Sequence, residues 1–347
     1  LLIALIASQM GMMRAVPVAV ALLSAGLAQL GFLYWTLARI DAVPALVWPR
    51  LSDAGRKMWR NFLPAAAGAG GMQINLLIDL ILASLLPVGA ISWLYYADRV
   101  AQLPLGIVGI ALGTALLPRL SAAEAGSRSA EVRDSLAEAV GLAGFLVIPA
   151  VAGLVLCGLS IMQGLFVYGA FDESDAQMAA LALTAYGCGL PGFVMVKILQ
   201  TAFYAAGQPG IVLKVSLTTV AINVAGSLLL MPILGHVGLA LATAISGTAA
   251  AVIMVVLLAR QNRLSVAFLP GLGKIIVATA VMGATVISLQ YGLDYFMHLP
   301  AALDLVIIVG GGGAVYAMMC YSIDAVPAGL MRRGKARNTR PTPLQKR

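Results

Sequence analysis

An acid and a base, Asp98 and Arg99, stand side by side in SWLYYADRVAQLPLG (residues 92–106), inside an apolar run long enough to cross a bilayer. Charge at a membrane's centre costs about 2.5–3.5 kcal/mol even on insertion scales, so such residues face a cavity or a partner. Helix neighbours diverge by about 100°, so these two side chains do not form an ideal pair with each other. By spacing, their partners are Tyr95 on one side and Gln102 on the other. One helix face therefore reads Tyr95, Asp98/Arg99, Gln102, Gly106: polar and then small. Pro104 withholds a hydrogen bond from the Val100 carbonyl and predicts a kink just past the charges. A polar stripe beside a kink fits a water-filled cavity better than a lipid face.

Two more ionisable residues lie within apolar runs. Asp79 closes QINLLID, where Gln73 and Asn75 precede it, and Asn75 shares its face at i, i+4. Two readings stand for Asp79: a structural ion pair with Arg99 across the helix pair, or part of a site for a small cation. Asn223, Ser227 and Thr243, on two later runs, are either further oxygens for that cation or ordinary interhelical hydrogen-bonding groups. Lys197, in GFVMVKILQ, is either functional or snorkels to a membrane edge. Cys157, Cys188 and Cys320 share no metal-ligand spacing and read as small buried residues. The chain has no P-loop, GxSxG, HExxH or Cys/His cluster, which disfavours ATP-driven transport by this chain alone. A channel, a secondary transporter, an intramembrane enzyme and a structural membrane subunit remain.

The elements that position these residues are membrane helices. Apolar residues make up 61% of the 347 and charged residues 10%, with mean hydropathy +0.96; a water-soluble fold needs far more polar surface. The expected fold class is an all-α polytopic membrane protein, because the runs are continuous and helix-length. Nine complete runs are expected at about 15–38, 62–87, 91–118, 138–162, 178–205, 210–232, 236–259, 273–293 and 302–323. The opening LLIALIASQM reads as half of another span, the tail of a helix that begins upstream. Small residues in AAAGAGG (65–71), LATAISGTAAA (241–251) and GGGG (310–313) predict close helix packing.

Alternate loops differ sharply in charge. Nineteen of the 22 Lys and Arg residues collect on one side, from Arg39 through Arg119, Lys214 and Lys274 to seven in the tail from Arg332 to Arg347. That side is expected to be cytoplasmic. The opposite loops are neutral or acidic, notably FDESD at 171–175. The net charge of +8 thus requires no nucleic-acid partner. The basic tail reads as disordered, or as a binder of anionic lipid at about 1 kcal/mol per basic residue.

YYADRVAQLPLGIVGIALGTALLPRLS (95–121) resembles the MurJ (MviN) family of bacterial lipid II flippases, in the MATE-like flippase superfamily. The segment before it, then FVYGAF (166–171) and VKILQTAFYAAGQPGIVLK (196–214), extend the resemblance in order over nearly the whole chain. It implies a MATE-like bundle of fourteen helices, with two six-helix lobes about a cationic cavity and a final helix pair forming a groove for a polyprenyl tail. On that reading 1–61 is the remnant of the first lobe, 62–259 the second lobe, 260–323 the groove pair and 324–347 a cytoplasmic tail. Arg99 matches the family's cavity arginine of the eighth helix, which binds the pyrophosphate or carboxylates of lipid II, and Asp98 matches the acid before it. Gln102 stands where the family often has glutamate, which puts in doubt any role needing a carboxylate there. Tyr95 and Lys197 complete the substrate-contacting set, and Asp79, Asn75, Asn223, Ser227 and Thr243 the cation-site candidates.

The activity implied is alternating-access translocation of lipid II across the bacterial inner membrane, without enzymatic chemistry. A diphosphate headgroup does not cross hydrocarbon unaided, and a guanidinium holds phosphate through a bidentate fork. Coupling to a monovalent cation, sodium or proton, and to membrane potential are both open. The partners implied are lipid II, membrane lipids, and proteins of cell-wall synthesis or division. The alternatives are a transporter of another polyprenyl-linked saccharide or of a drug cation, a non-transporting scaffold, and an intramembrane transferase.

Overall fold

The computed structural model describes residues 15–40, 53, 55–56, 59, 75–264, 269–296 and 300–327. It divides into two compact units, Leu1–Met58 and Trp59–Arg347. In the first, helix α1 (Ala15–Arg39) is apolar almost throughout and ends on Arg39, whose guanidinium lies 3.9 Å from the centre of the Trp35 ring. A cation over an indole face at a helix C-terminus is favoured by both the ring and the helix dipole.

The second unit is an antiparallel succession of helices. A helix over 75–83 (α2) leads through a turn into α3 (Ala90–Pro104), a π-helical turn (Leu105–Ile110) and α4 (Ala111–Ala125), together one continuous rod. There follow α5 (Ser129–Leu156), the short α6 (Gly158–Phe166), α7 (Glu173–Ala205), α8 (Pro209–Leu234), α9 (His236–Arg260), α10 (Leu269–Phe296) and α11 (Ala301–Ser322). Every described regular element is helical, and eight helices are long and apolar enough to cross a membrane. This is a multi-pass membrane protein. Of the nine expected spans, 62–87 is described only from 75, and its helix stops at 83, short of the expected end. The half-span at the start and Gln73 lie outside the described residues, as does AAAGAGG. The run expected at 138–162 is in fact two helices, broken where Cys157 leaves helical geometry at φ −100° and ψ 8°.

Helix α7 is the hub, packing against α3, α4, α5, α6 and α9. Its most apolar window is 56% buried against 11% for α8, so α7 forms the core and α8 the rim. Lipid is as apolar as leucine, so close packing, not burial from water, must hold such helices together. Gly189 and Gly192 supply it. A Cβ on Gly192 would lie 2.7 Å from the Thr248 Cα, and one on Gly189 2.6 Å from the Ala244 Cα. Within GGGG, Gly311 and Gly312 face Leu289 and Val286 of α10, while Gly310 and Gly313 meet nothing. Cys157 and Cys320 are buried as expected; Cys188 is exposed, because its position on α7 turns away from the packed face.

Polar ties fasten the two ends of the bundle. At one end Arg263 reaches both Glu124 oxygens, at 2.5 and 3.2 Å, and Gln261 donates to Gln208 at 3.3 Å. Lys274 donates to the Asp324 carbonyl at 3.1 Å. At the other end the Trp93 indole donates to Asp175 at 2.6 Å, and His236 bonds the Met178 carbonyl at 2.9 Å. The acidic loop is ordered by a capping box. Asp172 accepts from the Asp175 backbone at 2.9 Å, and Asp175 accepts from the Asp172 backbone at 3.1 Å. The Asp175 bond, then the Ser174 hydroxyl, hold the Asp172 carboxyl below the usual carboxylate range.

Candidate functional site

The first polar cluster is built on one face of α3. Nothing in AISWLYYADRVAQLP interrupts a helix before Pro104, so Tyr95, Asp98, Arg99 and Gln102 fall within two turns of one another. The Arg99 guanidinium lies 5.0 Å from the Tyr95 ring centre. Its Nη1 donates to Gln102 Oε1 at 3.4 Å, and the Gln102 amide donates to Asp98. Arg99 and Asp98 themselves stand 3.7 Å apart, a loose pair, as adjacent side chains diverging on a helix must be. Gln102 closes the circuit because an amide both donates and accepts. The Arg99 side chain is 54% exposed, so a guanidinium held by three neighbours still presents free donors outward. Past it, the break at Pro104 takes the form of a π-helical turn, where a kink was expected.

The second cluster is partly buried and joins three helices. Asn75 donates to Asp79 at 3.1 Å within α2. The Asp79 carboxyl interacts with the Thr243 hydroxyl of α9. Thr243 in turn accepts from the Asn223 amide of α8 at 3.0 Å. Ser227 sits one turn from Asn223, and both are wholly buried. Among the described residues four oxygens here have no hydrogen-bond partner: Asn75 Oδ1, Asp79 Oδ1, Asn223 Oδ1 and Ser227 Oγ. Buried polar atoms are paired in the great majority of cases, so four orphans in one cluster point to a missing partner. The ion pair between Asp79 and Arg99 does not form: Asp79 turns to Asn75 and Thr243, and Arg99 to its own helix.

Lys197 joins neither cluster. Its stem packs against Gly109, where a Cβ would lie 3.5 Å from the lysine Cβ and Cγ. That is ten residues beyond Arg99, about 15 Å along a helix. Among the described residues Lys197 has no ion-pair partner. Sequence reasoning passed over Tyr186 of α7, a half-buried tyrosine whose ring packs against the core of the bundle. A lone tyrosine in LALTAYGCGL offered no signal beyond its polar tip.

The fold and its clusters define a class: a multi-pass helical membrane bundle with two clusters of charged and amide side chains on its helices. A family model described as lipid II flippase MurJ matches residues 1–302. The chain is 33% identical over 330 residues to a probable lipid II flippase MurJ of Rhizobium tropici, covering 92% of this chain and 61% of that protein. A probable lipid II flippase MurJ of Rhizobium meliloti (strain 1021) is 31% identical over 322 residues, covering 91% and 60%. The chain belongs to the MurJ family. It spans about three fifths of the length of these relatives. The solved structure of a lipid II flippase MurJ in an inward closed conformation shares the fold, with TM-score 0.68 at 21% identity over 82% of this chain and 58% of that one.

Proposed function

We propose that this chain provides the second lobe (62–259) and the tail-binding helix pair (260–323) of a flippase for lipid II, the undecaprenyl-pyrophosphate-linked muropeptide. The carrying observation is Arg99, a half-exposed guanidinium oriented by Tyr95, Asp98 and Gln102 on an otherwise apolar membrane helix. A pyrophosphate takes the outward donors of Arg99 in a charge-assisted fork. Lys197, three turns further along, is long enough to meet a second anionic or polar group of the same headgroup. No bond is made or broken, so the reading is transport without enzymatic chemistry. The lobes rock about the headgroup while the polyprenyl chain stays in the bilayer. The protein lies in the bacterial inner membrane with the basic loops and C-terminus in the cytoplasm, supported by the charge asymmetry of the loops.

The second cluster serves as the coupling site. Its donors are all oxygens, as a hard cation requires, and only Asp79 carries charge, which favours a monovalent ion such as sodium. Asp79, Asn75, Asn223 and Ser227 would hold it, with Thr243 bridging Asp79 and Asn223.

The test is translocation of fluorescent lipid II in proteoliposomes by the full-length protein, with complementation of a strain depleted of its own flippase. Arg99→Ala is expected to lose both activities while folding normally. Full complementation by Arg99→Ala sinks the reading and favours a scaffold.

A further inference from the structure

The α10–α11 pair rests on the break between α5 and α6: α10 packs along α5, and α11 packs on α6. Cys157, at the break, is buried with Val286 of α10 and Ile308 of α11, and Leu156, Ile161, Leu289 and Leu293 close around them. A helix leaves its last four carbonyls without intrahelical partners, and in a membrane the protein itself must supply them. Leu156, the last residue of α5, finds its partner in Gln290 of α10. The Gln290 amide nitrogen donates to the Leu156 carbonyl at 3.1 Å and lies 3.5 Å from the Ser160 hydroxyl of α6. One side chain of α10 thus reaches both helices of the break. On the α7 side Gly158 closes the break, where a Cβ would stand 3.5 Å from the Ala180 carbonyl. A second tie lies about 16 Å back along α5, where Tyr316 donates to the Phe145 carbonyl at 2.6 Å. Past the break α6 takes α11 closely: a Cβ on Gly164 would lie 3.2 Å from the Leu305 Cβ.

We propose that Gln290 is the positioning residue that fixes the tail-binding pair on this break, and so sets how much of the substrate's affinity its polyprenyl chain supplies. This rests on the tail-binding role proposed above for α10 and α11. Apolar packing alone does not hold the pair in one place, because lipid competes equally for every apolar face. Gln290 adds a directional bond at the point where α5 and α6 part, and α7, which carries Lys197, packs against both of those helices. Linked groups of one ligand add their binding energies only where the two sites stand at a span the linker matches. A pair free to slide on the lobe spreads that span, and the gain from the chain is lost while the headgroup contacts remain.

The experiment measures equilibrium binding of undecaprenyl pyrophosphate, geranyl pyrophosphate and inorganic pyrophosphate to the full-length protein in nanodiscs. Wild type is expected to prefer the long chain to the short one. Gln290→Met keeps the reach of the side chain and removes the donor. Its affinity for undecaprenyl pyrophosphate is expected to fall about fivefold, as for one lost hydrogen bond, with the other two ligands bound as in wild type. A disulfide joining Gly164→Cys to Leu305→Cys pins α11 to α6, across a gap close to the about 3.5–4.5 Å between Cβ atoms that a bridge spans. It is expected to restore the long-chain preference to Gln290→Met. A Gln290→Met protein with the wild-type preference overturns the proposal and leaves the tail reading standing. One that weakens for all three ligands alike, or that the disulfide does not rescue, overturns it as well, since the side chain then supports the fold and not the position of the pair. A wild type without preference for the long chain overturns it together with the tail reading.

Discussion

Gln102 decides how free Arg99 is. As an amide it gives a proton to Asp98 and accepts one from the guanidinium, so neither charge depends wholly on the other. Gln102→Leu removes both bonds and lets Asp98 draw the guanidinium inward. Headgroup affinity is expected to fall about two- to fivefold, a modest effect because these groups are solvent-screened; equilibrium binding of undecaprenyl pyrophosphate measures it. Gln102→Glu keeps an acceptor for Arg99 but gives Asp98 no donor. Asp79→Asn removes the one charge from the buried cluster while preserving its shape. The expected outcome is loss of sodium-dependent thermal stabilisation with folding retained, read by differential scanning fluorimetry across a sodium series. A variant stabilised by sodium as wild type is would remove Asp79 from the cation site.

Among the elements, α7 and α9 cross so closely that Gly192 has no room for any side chain. Gly192→Val presses into the Thr248 backbone, which cannot swing aside as a flexible side chain would. A loss of about 1–3 kcal/mol is expected, as for overpacked cores, seen as a lower unfolding temperature in detergent. The start of α7 carries a pH dependence with a definite sign. The Asp172 carboxyl is held below its usual range by the Asp175 backbone bond, so its cap is in place at neutral pH. A depressed carboxyl contributes stability above its unfolded value, about 3.9, and loses it as pH falls through the lower folded value. Protection factors for hydrogen exchange at residues 173–176 are therefore expected to fall on acidification in wild type, and to be low already at neutral pH in Asp172→Ala. Wild-type protection at neutral pH in that variant would show the cap to be dispensable.

Across the whole second unit, Glu124 and Arg263 tie the rod that carries Arg99 to the segment just past the end of α9, the helix that supplies Thr243. Both side chains are only about a fifth exposed (22% and 23%), so this pair is screened less than the others on the surface. Arg263→Ala is expected to cost about 1–3 kcal/mol, since it strands a partly buried carboxylate. A double-mutant cycle with Glu124→Gln isolates the pair: the double variant should be no less stable than Arg263→Ala alone. Strict additivity of the two losses would show that the ion pair contributes nothing as a pair.

Composition and run length were enough to read a multi-pass helical protein, and spacing alone joined Tyr95, Asp98, Arg99 and Gln102, because contacts at i, i+3 and i+4 follow from helix geometry. The same rule found Asn75 with Asp79. Spacing left open whether Asp79 meets Arg99 or a cation site. It also did not separate Cys157, the break between two helices, from its apolar neighbours. These depend on how each helix is rotated about its axis, and in lipid that rotation leaves little trace in a sequence: every apolar face is equally at home against lipid or protein, and small residues such as Gly189 and Gly192 set the approach. Only the tertiary structure brought Thr243 to Asp79 and to Asn223, because both contacts cross helices whose mutual register is a matter of packing.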